Sequence, residues 1–180
     1  MGEILMLIWY SFYFMLPAYF ANMAPILIKK VNFLNLPVDF GKKLNGIRIF
    51  GENKTWRGLF FGTLIGIIVF LIQQQIGVKS LIDYSQYSLL GGVLFGFLLG
   101  FGALSGDLIE SFFKRRVGIK PGKSWIPFDQ IDLAIGALIF TWAVYSYSLP
   151  EVLAILGLTF VLPILANRIG YTLKIRDVSI

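Results

Sequence analysis

Five apolar stretches, each about as long as a bilayer crossing requires, constrain this chain more than any other feature. A helix crosses a hydrocarbon core about 30 Å thick with about 20 mostly apolar residues. Stretches of that kind cover Ile4–Ile28, Leu59–Ile76, Leu89–Phe113, Ile131–Leu149 and Val152–Tyr171. In lipid every backbone N–H and C=O must find a partner inside the structure, which leaves helices and closed barrels. The apolar/polar alternation of a membrane barrel strand is absent here. The expected fold is all-α: one integral membrane domain over residues 1–180, a polytopic bundle of five transmembrane helices. Charge content agrees, since only 14% of the 180 residues are charged against about a quarter in a soluble domain. The first stretch has no basic segment before it and is too long for the apolar core of a cleaved signal peptide.

The basic residues set the expected orientation. Lys29, Lys30, Lys42, Lys43, Arg48, Lys54 and Arg57 lie between the first two stretches. Lys114, Arg115, Arg116, Lys120 and Lys123 lie between the third and fourth, and Arg168, Lys174 and Arg176 come near the end. Five crossings put all three groups on one face and leave only Lys79 on the other. Lys and Arg are retained in the cytoplasm, so this multi-pass membrane protein is expected to have its N-terminus outside, its C-terminus inside and two basic cytoplasmic loops. Such a face attracts anionic headgroups and would equally attract a soluble polyphosphate; no nucleic-acid partner is expected. Glycines four apart, Gly58/Gly62/Gly66 and Gly92/Gly96/Gly100, let helix backbones approach closely in a membrane.

With no cysteine and no histidine, thiolate and imidazole metal sites and every Ser-His or Cys-His nucleophile pair are excluded. The chemistry must use carboxylates, amines, guanidinium groups and hydroxyls. Asp107 and Glu110 stand within the third stretch, where a carboxylate costs about 2.5–3.5 kcal/mol on insertion scales. On a helix Asp107, Glu110, Ser111 and Lys114 share one face, and a Glu110–Lys114 ion pair is the plain structural reading of part of it. The segment KRRVGIKPGKSWIPFDQID, Lys114 to Asp132, follows with Asp129 and Asp132 opening the fourth stretch. Both aspartates suit a helix start; with Asp107 they also offer an oxygen-only site of the kind Mg²⁺ takes. In the first basic loop GENKTWRG, Gly51 to Gly58, brings Lys54, Thr55 and Arg57 together around a tight turn whose amides suit phosphate. Asn22 and Pro25 interrupt the first stretch just before Lys29.

Taken together, Asn22-Met23-Ala24-Pro25, Gly51 to Gly58, Gly106-Asp107-Leu108 running into Lys114-Arg115-Arg116, Trp125 to Asp132 and Ala166-Asn167-Arg168 resemble the CDP-archaeol synthases, over essentially the whole chain. More distantly they resemble CDP-diacylglycerol synthases: Ser111, Lys114, Arg115, Lys120, Asp129 and Asp132 fit that signature, whereas Pro121 replaces an aspartate and a His-Gly-Gly run is missing. The resemblance implies a Mg²⁺-dependent cytidylyltransferase that joins CTP to an unsaturated archaeal ether-lipid phosphate drawn from the bilayer and releases pyrophosphate. On that reading Asp107, Asp129 and Asp132 hold the metal and form the catalytic set with Lys114. Lys54, Arg57, Lys114, Arg115, Lys120 and Lys123 take phosphates, with Thr55 and Asn22 as neutral contacts, while Arg116, Arg168 and Arg176 are surface or headgroup contacts. The alternative is a small ion or metabolite transporter relaying through Asp107 and Glu110, although no internal repeat of spans supports it.

Overall fold

The structure, a computed structural model, describes residues 1–120 and 123–172. Pro121, Lys174 and Arg176 lie outside the described residues. Five helices account for most of it: α1 (Gly2–Leu27), α2 (Trp56–Ile76), α3 (Leu89–Arg116), α4 (Phe128–Thr141) and α5 (Leu149–Thr172). Among the described residues four helices are long and apolar enough to cross a membrane: α1, α2, α3 and the Leu149–Ala166 part of α5. Their outward faces carry Ile68, Ile72, Leu94, Leu153 and Val161 exposed, the pattern expected where lipid rather than water is the solvent.

The fourth apolar stretch departs from expectation. Rather than running from Ile131 to Leu149, the helix starts at Phe128 and ends at Thr141, 14 residues or about 21 Å at 1.5 Å per residue. The Thr141 hydroxyl lies 2.6 Å from the Ala137 carbonyl and 2.6 Å from the Tyr147 hydroxyl. The Val144 and Tyr145 N–H groups both turn back to the Thr141 carbonyl. Tyr145 and Tyr147 then pack their rings against Phe14. Aromatic residues read as apolar along the chain, yet here they form a hydrogen-bonded turn. The Tyr145 hydroxyl donates to the Leu81 carbonyl at 3.1 Å, so α4 and its turn reach the connection between α2 and α3.

Small residues set the helix spacing. A Cβ on Gly66 would come within 2.8 Å of Gly100 Cα, and one on Gly96 within 2.7 Å of Ile67 Cα; the two glycine stripes read in the sequence therefore face each other across α2 and α3. A second crossing, absent from that reading, uses another side of α3: Gly102 and Gly106 meet Gly136 of α4, where a Cβ on Gly106 would overlap the Asp132 carbonyl. Phe14, Phe70, Phe95, Leu99, Ala103 and Ala134 form the interior beyond these contacts, with the Phe70 and Phe95 rings stacked at 5.1 Å.

The connection from α1 to α2 is ordered by one buried carboxylate. Strands β1 (Lys43–Leu44) and β2 (Ile47–Arg48) pair antiparallel around Asn45-Gly46, both at positive φ, as a two-residue hairpin turn demands. Asp39, with its side chain fully buried, accepts from Arg48 at 2.8 Å and from the N–H groups of Gly41, Phe50 and Gly51. Burial alone would raise its pKa, but the Arg48 and backbone hydrogen bonds outweigh it and hold this carboxyl well below the usual carboxylate range. Thus residue 51, where the Gly51–Gly58 segment begins, is tied to a fixed point.

Candidate active site

Asp107 and Glu110 come from the last third of α3 and Asp132 from the first turns of α4; one carboxylate oxygen from each lies within 4.8 Å of the other two. The glycine crossing explains the approach, because a side chain at residue 106 or 136 would push the two helices apart. Asp129 stands one turn away and is engaged elsewhere. Lys114 Nζ is 2.5 Å from Asp129 Oδ1, and the Trp125 N–H donates to Asp129 Oδ2 at 2.7 Å. Lys114 Nζ also lies 3.4 Å from Glu110 Oε1. The geometric cluster is therefore Asp107, Glu110 and Asp132, with Glu110 in the place the sequence reading gave Asp129. The Glu110–Lys114 pair, read in the sequence as plain structure, is present and extends to α4.

Lys54 reaches the cluster from the first loop, its ammonium 2.6 Å from each oxygen of Asp107. A polar cavity of about 310 Å³ lies around it, walled by Asn53, Lys54, Asp107, Glu110, Lys123 and Asp132 together with Ser111, Lys114, Arg115 and Asp129. A smaller one of about 200 Å³ adjoins it at Asn53, Lys54 and Asp107 and brings in Asn22, Thr55 and Gly58. Thr55 is the N-cap of α2, its hydroxyl accepting from the Gly58 N–H at 3.2 Å. Lys120 lies further out, lining with Arg48 and Arg115 a third cavity that shares Gly51 and Asn53.

Two of the cations read as phosphate ligands are committed to the protein. Arg57 is buried and donates to the carbonyls of Lys29 and Val31 at 3.0 and 2.6 Å; it closes the end of α1 onto the start of α2 and lines neither cavity. Lys114 is shared between Glu110 and Asp129. Arg116, read as a headgroup contact, lies over the Phe112 ring and donates to the Arg48 and Ile49 carbonyls. Asp39 was missed altogether, since nothing local marks a carboxylate whose partners lie two to twelve residues on. Ser124, which the sequence does not mark, and Asn53, which it marks only as a turn residue, also line the polar cavity.

Between α3 and α4 runs a groove of about 330 Å³, walled by Ile109, Phe113, Trp125, Phe128, Ile135 and Ile139. Glu110 and Asp132 line it as well, the same two carboxylates that line the polar cavity.

These features define a class: an α-helical integral membrane protein with a polar site of carboxylates and cations set among its helix ends. The family description CarS-like, CDP-archaeol synthase, matches residues 4–180, and the chain belongs to that family. It is 41% identical over 169 residues to the CDP-archaeol synthase of Pyrococcus abyssi, covering 93% of this chain and 95% of that one. With the CDP-archaeol synthase of Thermococcus gammatolerans it shares 36% identity, covering 99% of each chain. A solved structure of an intramembrane enzyme for archaeal membrane lipids biosynthesis superimposes with a TM-score of 0.65 at 28% identity, covering 86% of this chain and 90% of that one.

Proposed function

We propose that this chain transfers the cytidylyl group of CTP to 2,3-bis-O-geranylgeranylglycerol 1-phosphate, giving CDP-archaeol and pyrophosphate. The observation that carries the reading is the meeting of two unlike spaces at Glu110 and Asp132. A cation-lined polar cavity suits a nucleoside triphosphate. An apolar groove between two membrane helices suits isoprenoid chains, and the reaction joins a phosphate from each side.

Asp107, Glu110 and Asp132 fit a hard divalent ion: all donors are carboxylate oxygens, as Mg²⁺ prefers, and the buried Glu110 Oε1 has no hydrogen bond of its own beyond the long 3.4 Å ion pair with Lys114. These three residues would hold Mg²⁺, with Asp129 positioned by Lys114 rather than in the donor set. The ion, when bound, supplies charge neutralisation at the reacting phosphate. The protein's own cations do the rest. Lys54, Arg115 and Lys123 hold the β- and γ-phosphates and stabilise departing pyrophosphate, with Lys120 beyond them. The N-terminus of α2, capped by Thr55 and without an acidic residue in its first turn, favours negative charge in the smaller cavity, where Asn22 and Asn53 add neutral donors. Lys114 keeps Glu110 and Asp129 in place.

The lipid phosphate needs no base. Its second pKa is about 6, so it arrives largely as a dianion. One of its oxygens attacks the α-phosphorus, the bond from that phosphorus to the bridging oxygen breaks, and the electron pair leaves on pyrophosphate. Positioning and electrostatics suffice for such a displacement.

We further read the chain as one domain with five crossings, the 14-residue α4 making the fourth together with the turn that follows it, with the N-terminus outside and the site at the cytoplasmic face. The end of α1, the start of α2, the end of α3 and the start of α4 all contribute to the two site cavities, which supports alternating helix directions. Lys54, Lys114, Arg115 and Lys123 line the polar cavity and Arg48 and Lys120 its neighbour, which supports putting this face on the basic, cytoplasmic side. Purified protein supplied with Mg²⁺ and CTP should form CDP-lipid and matching pyrophosphate from the unsaturated ether-lipid phosphate and not from diacyl phosphatidic acid. No product from either lipid, with no CTP binding, would overturn the reading.

A further inference from the structure

Lys54 sits where a cation bound to Asp107 by both oxygens would sit, its ammonium 2.6 Å from Oδ1 and 2.6 Å from Oδ2. The other lysine at the cluster, Lys114, is held by Glu110 and Asp129, so competition at Asp107 falls on Lys54. The backbone beneath Lys54 is fixed. Its carbonyl accepts the Val38 N–H at 2.8 Å, the next residue bridges to Pro37, and Thr55 caps α2. Any release of Asp107 is therefore a side-chain movement, and the four-carbon stem of lysine permits it. Around that stem lie the polar cavity and its smaller neighbour, both of which Lys54 lines.

We propose, resting on the reading of the carboxylate cluster as the divalent-ion site, that Lys54 is an exchangeable cation that couples the binding of metal and nucleotide. Two cations on one carboxylate repel, so the ion alone must displace an ammonium that then has no new anion. Triphosphate supplies that anion: Lys54 moves from Asp107 to phosphate oxygen as the ion takes Asp107. The ion alone binds weakly, nucleotide strengthens it, and by linkage the ion strengthens nucleotide binding by the same factor. This arrangement keeps an unaccompanied divalent ion out of the site and favours its arrival with the triphosphate.

The test uses the full chain in detergent and Mn²⁺ as the probe, with free ion read by electron paramagnetic resonance. Lys54→Met and Lys54→Gln should bind Mn²⁺ alone at least about tenfold tighter than wild type, within the usual range of coupling between sites. In both variants the gain that CTP gives to Mn²⁺ binding, corrected for the Mn²⁺·CTP complex in solution, should shrink. Lys54→Arg, which keeps the charge, should stay near wild type. Wild-type amine labelling read by mass spectrometry gives a measurement independent of variant folding: Mn²⁺ alone should raise labelling at Lys54 and not at Lys79, and CTP added with it should suppress the rise. Neutral variants that fold and bind Mn²⁺ no better than wild type, or Lys54 labelling indifferent to Mn²⁺, would overturn the exchange while leaving the catalytic reading intact. Wild type that binds neither CTP nor Mn²⁺ with CTP would overturn both.

Discussion

Replacing Gly136 with alanine tests whether the α3–α4 crossing builds the site. A Cβ there would lie 2.7 Å from Gly106 N and 2.8 Å from Gly106 Cα, and closer still to the Gly102 carbonyl. All three neighbours are helix backbone, so no side chain can rotate away. Ordinary carbon contact begins near 3.4 Å, and the Gly102 overlap is the largest of the three, so α4 must retreat from α3 by on the order of 1 Å. Asp132 moves with α4 while Asp107 and Glu110 stay with α3. A misplacement of about 1 Å costs about 10²-fold in rate, and overpacking of this kind costs about 1–3 kcal/mol in stability. The assay is initial-rate CDP-lipid formation beside a melting curve in detergent. Gly157→Ala is the control, because a Cβ there meets nothing within 4 Å and alanine suits a helix better than glycine by about 0.5–1 kcal/mol. Gly136→Ala with wild-type rate and melting would refute the argument that backbone contact between these helices sets the carboxylate geometry.

Asp39→Asn removes the charge that ties the first loop together and should cost on the order of 2 kcal/mol, read as a fall in melting temperature. The sign with pH is fixed by the depressed Asp39 pKa: its stabilisation is complete above the unfolded value, about 3.9, and is lost as pH falls through the folded one. Wild type should therefore lose its advantage over Asp39→Asn on acidification, whereas an advantage constant with pH would contradict the assignment. Ile135→Trp intrudes into the groove between α3 and α4 and should raise KM for the lipid about tenfold while CTP binding stays unchanged; equal effects on both substrates would count against a lipid groove. Thr55→Ala removes the α2 cap and should lower stability by about 1 kcal/mol, visible in the melting curve.

The helices were legible because lipid demands long apolar runs, and hydropathy reads length well. It could not read the end of α4, since Trp142, Tyr145 and Tyr147 look apolar whether they continue a helix or fold into a turn. The glycine stripe on the α2 side of α3 stood out by spacing. Gly102 and Gly106 keep the same four-residue spacing on another side of α3, but their partner Gly136 stands alone in α4, so that match exists only across two helices. At the site, Asp107 and Asp132 were visible as costly charges in apolar surroundings. Choosing between Glu110 and Asp129 required knowing that Lys114 bridges them, a contact between α3 and α4 that local spacing shows only in half. Arg57 is the opposite case. Its place beside Lys54 and Thr55 suggested phosphate, yet a helix start beside the end of α1 leaves carbonyls that an arginine satisfies. Asp39 has no local signal at all, because its role is set by a hairpin that folds back on it.

Asp107, Glu110 and Asp132 are proposed as the reacting centre, where the polar cavity meets the apolar groove. Its most direct test is the rate of CDP-lipid formation by Asp107→Asn, with melting temperature measured on the same sample. The variant should melt close to wild type and form product only at background. A folded Asp107→Asn variant that makes CDP-lipid at the wild-type rate would contradict it.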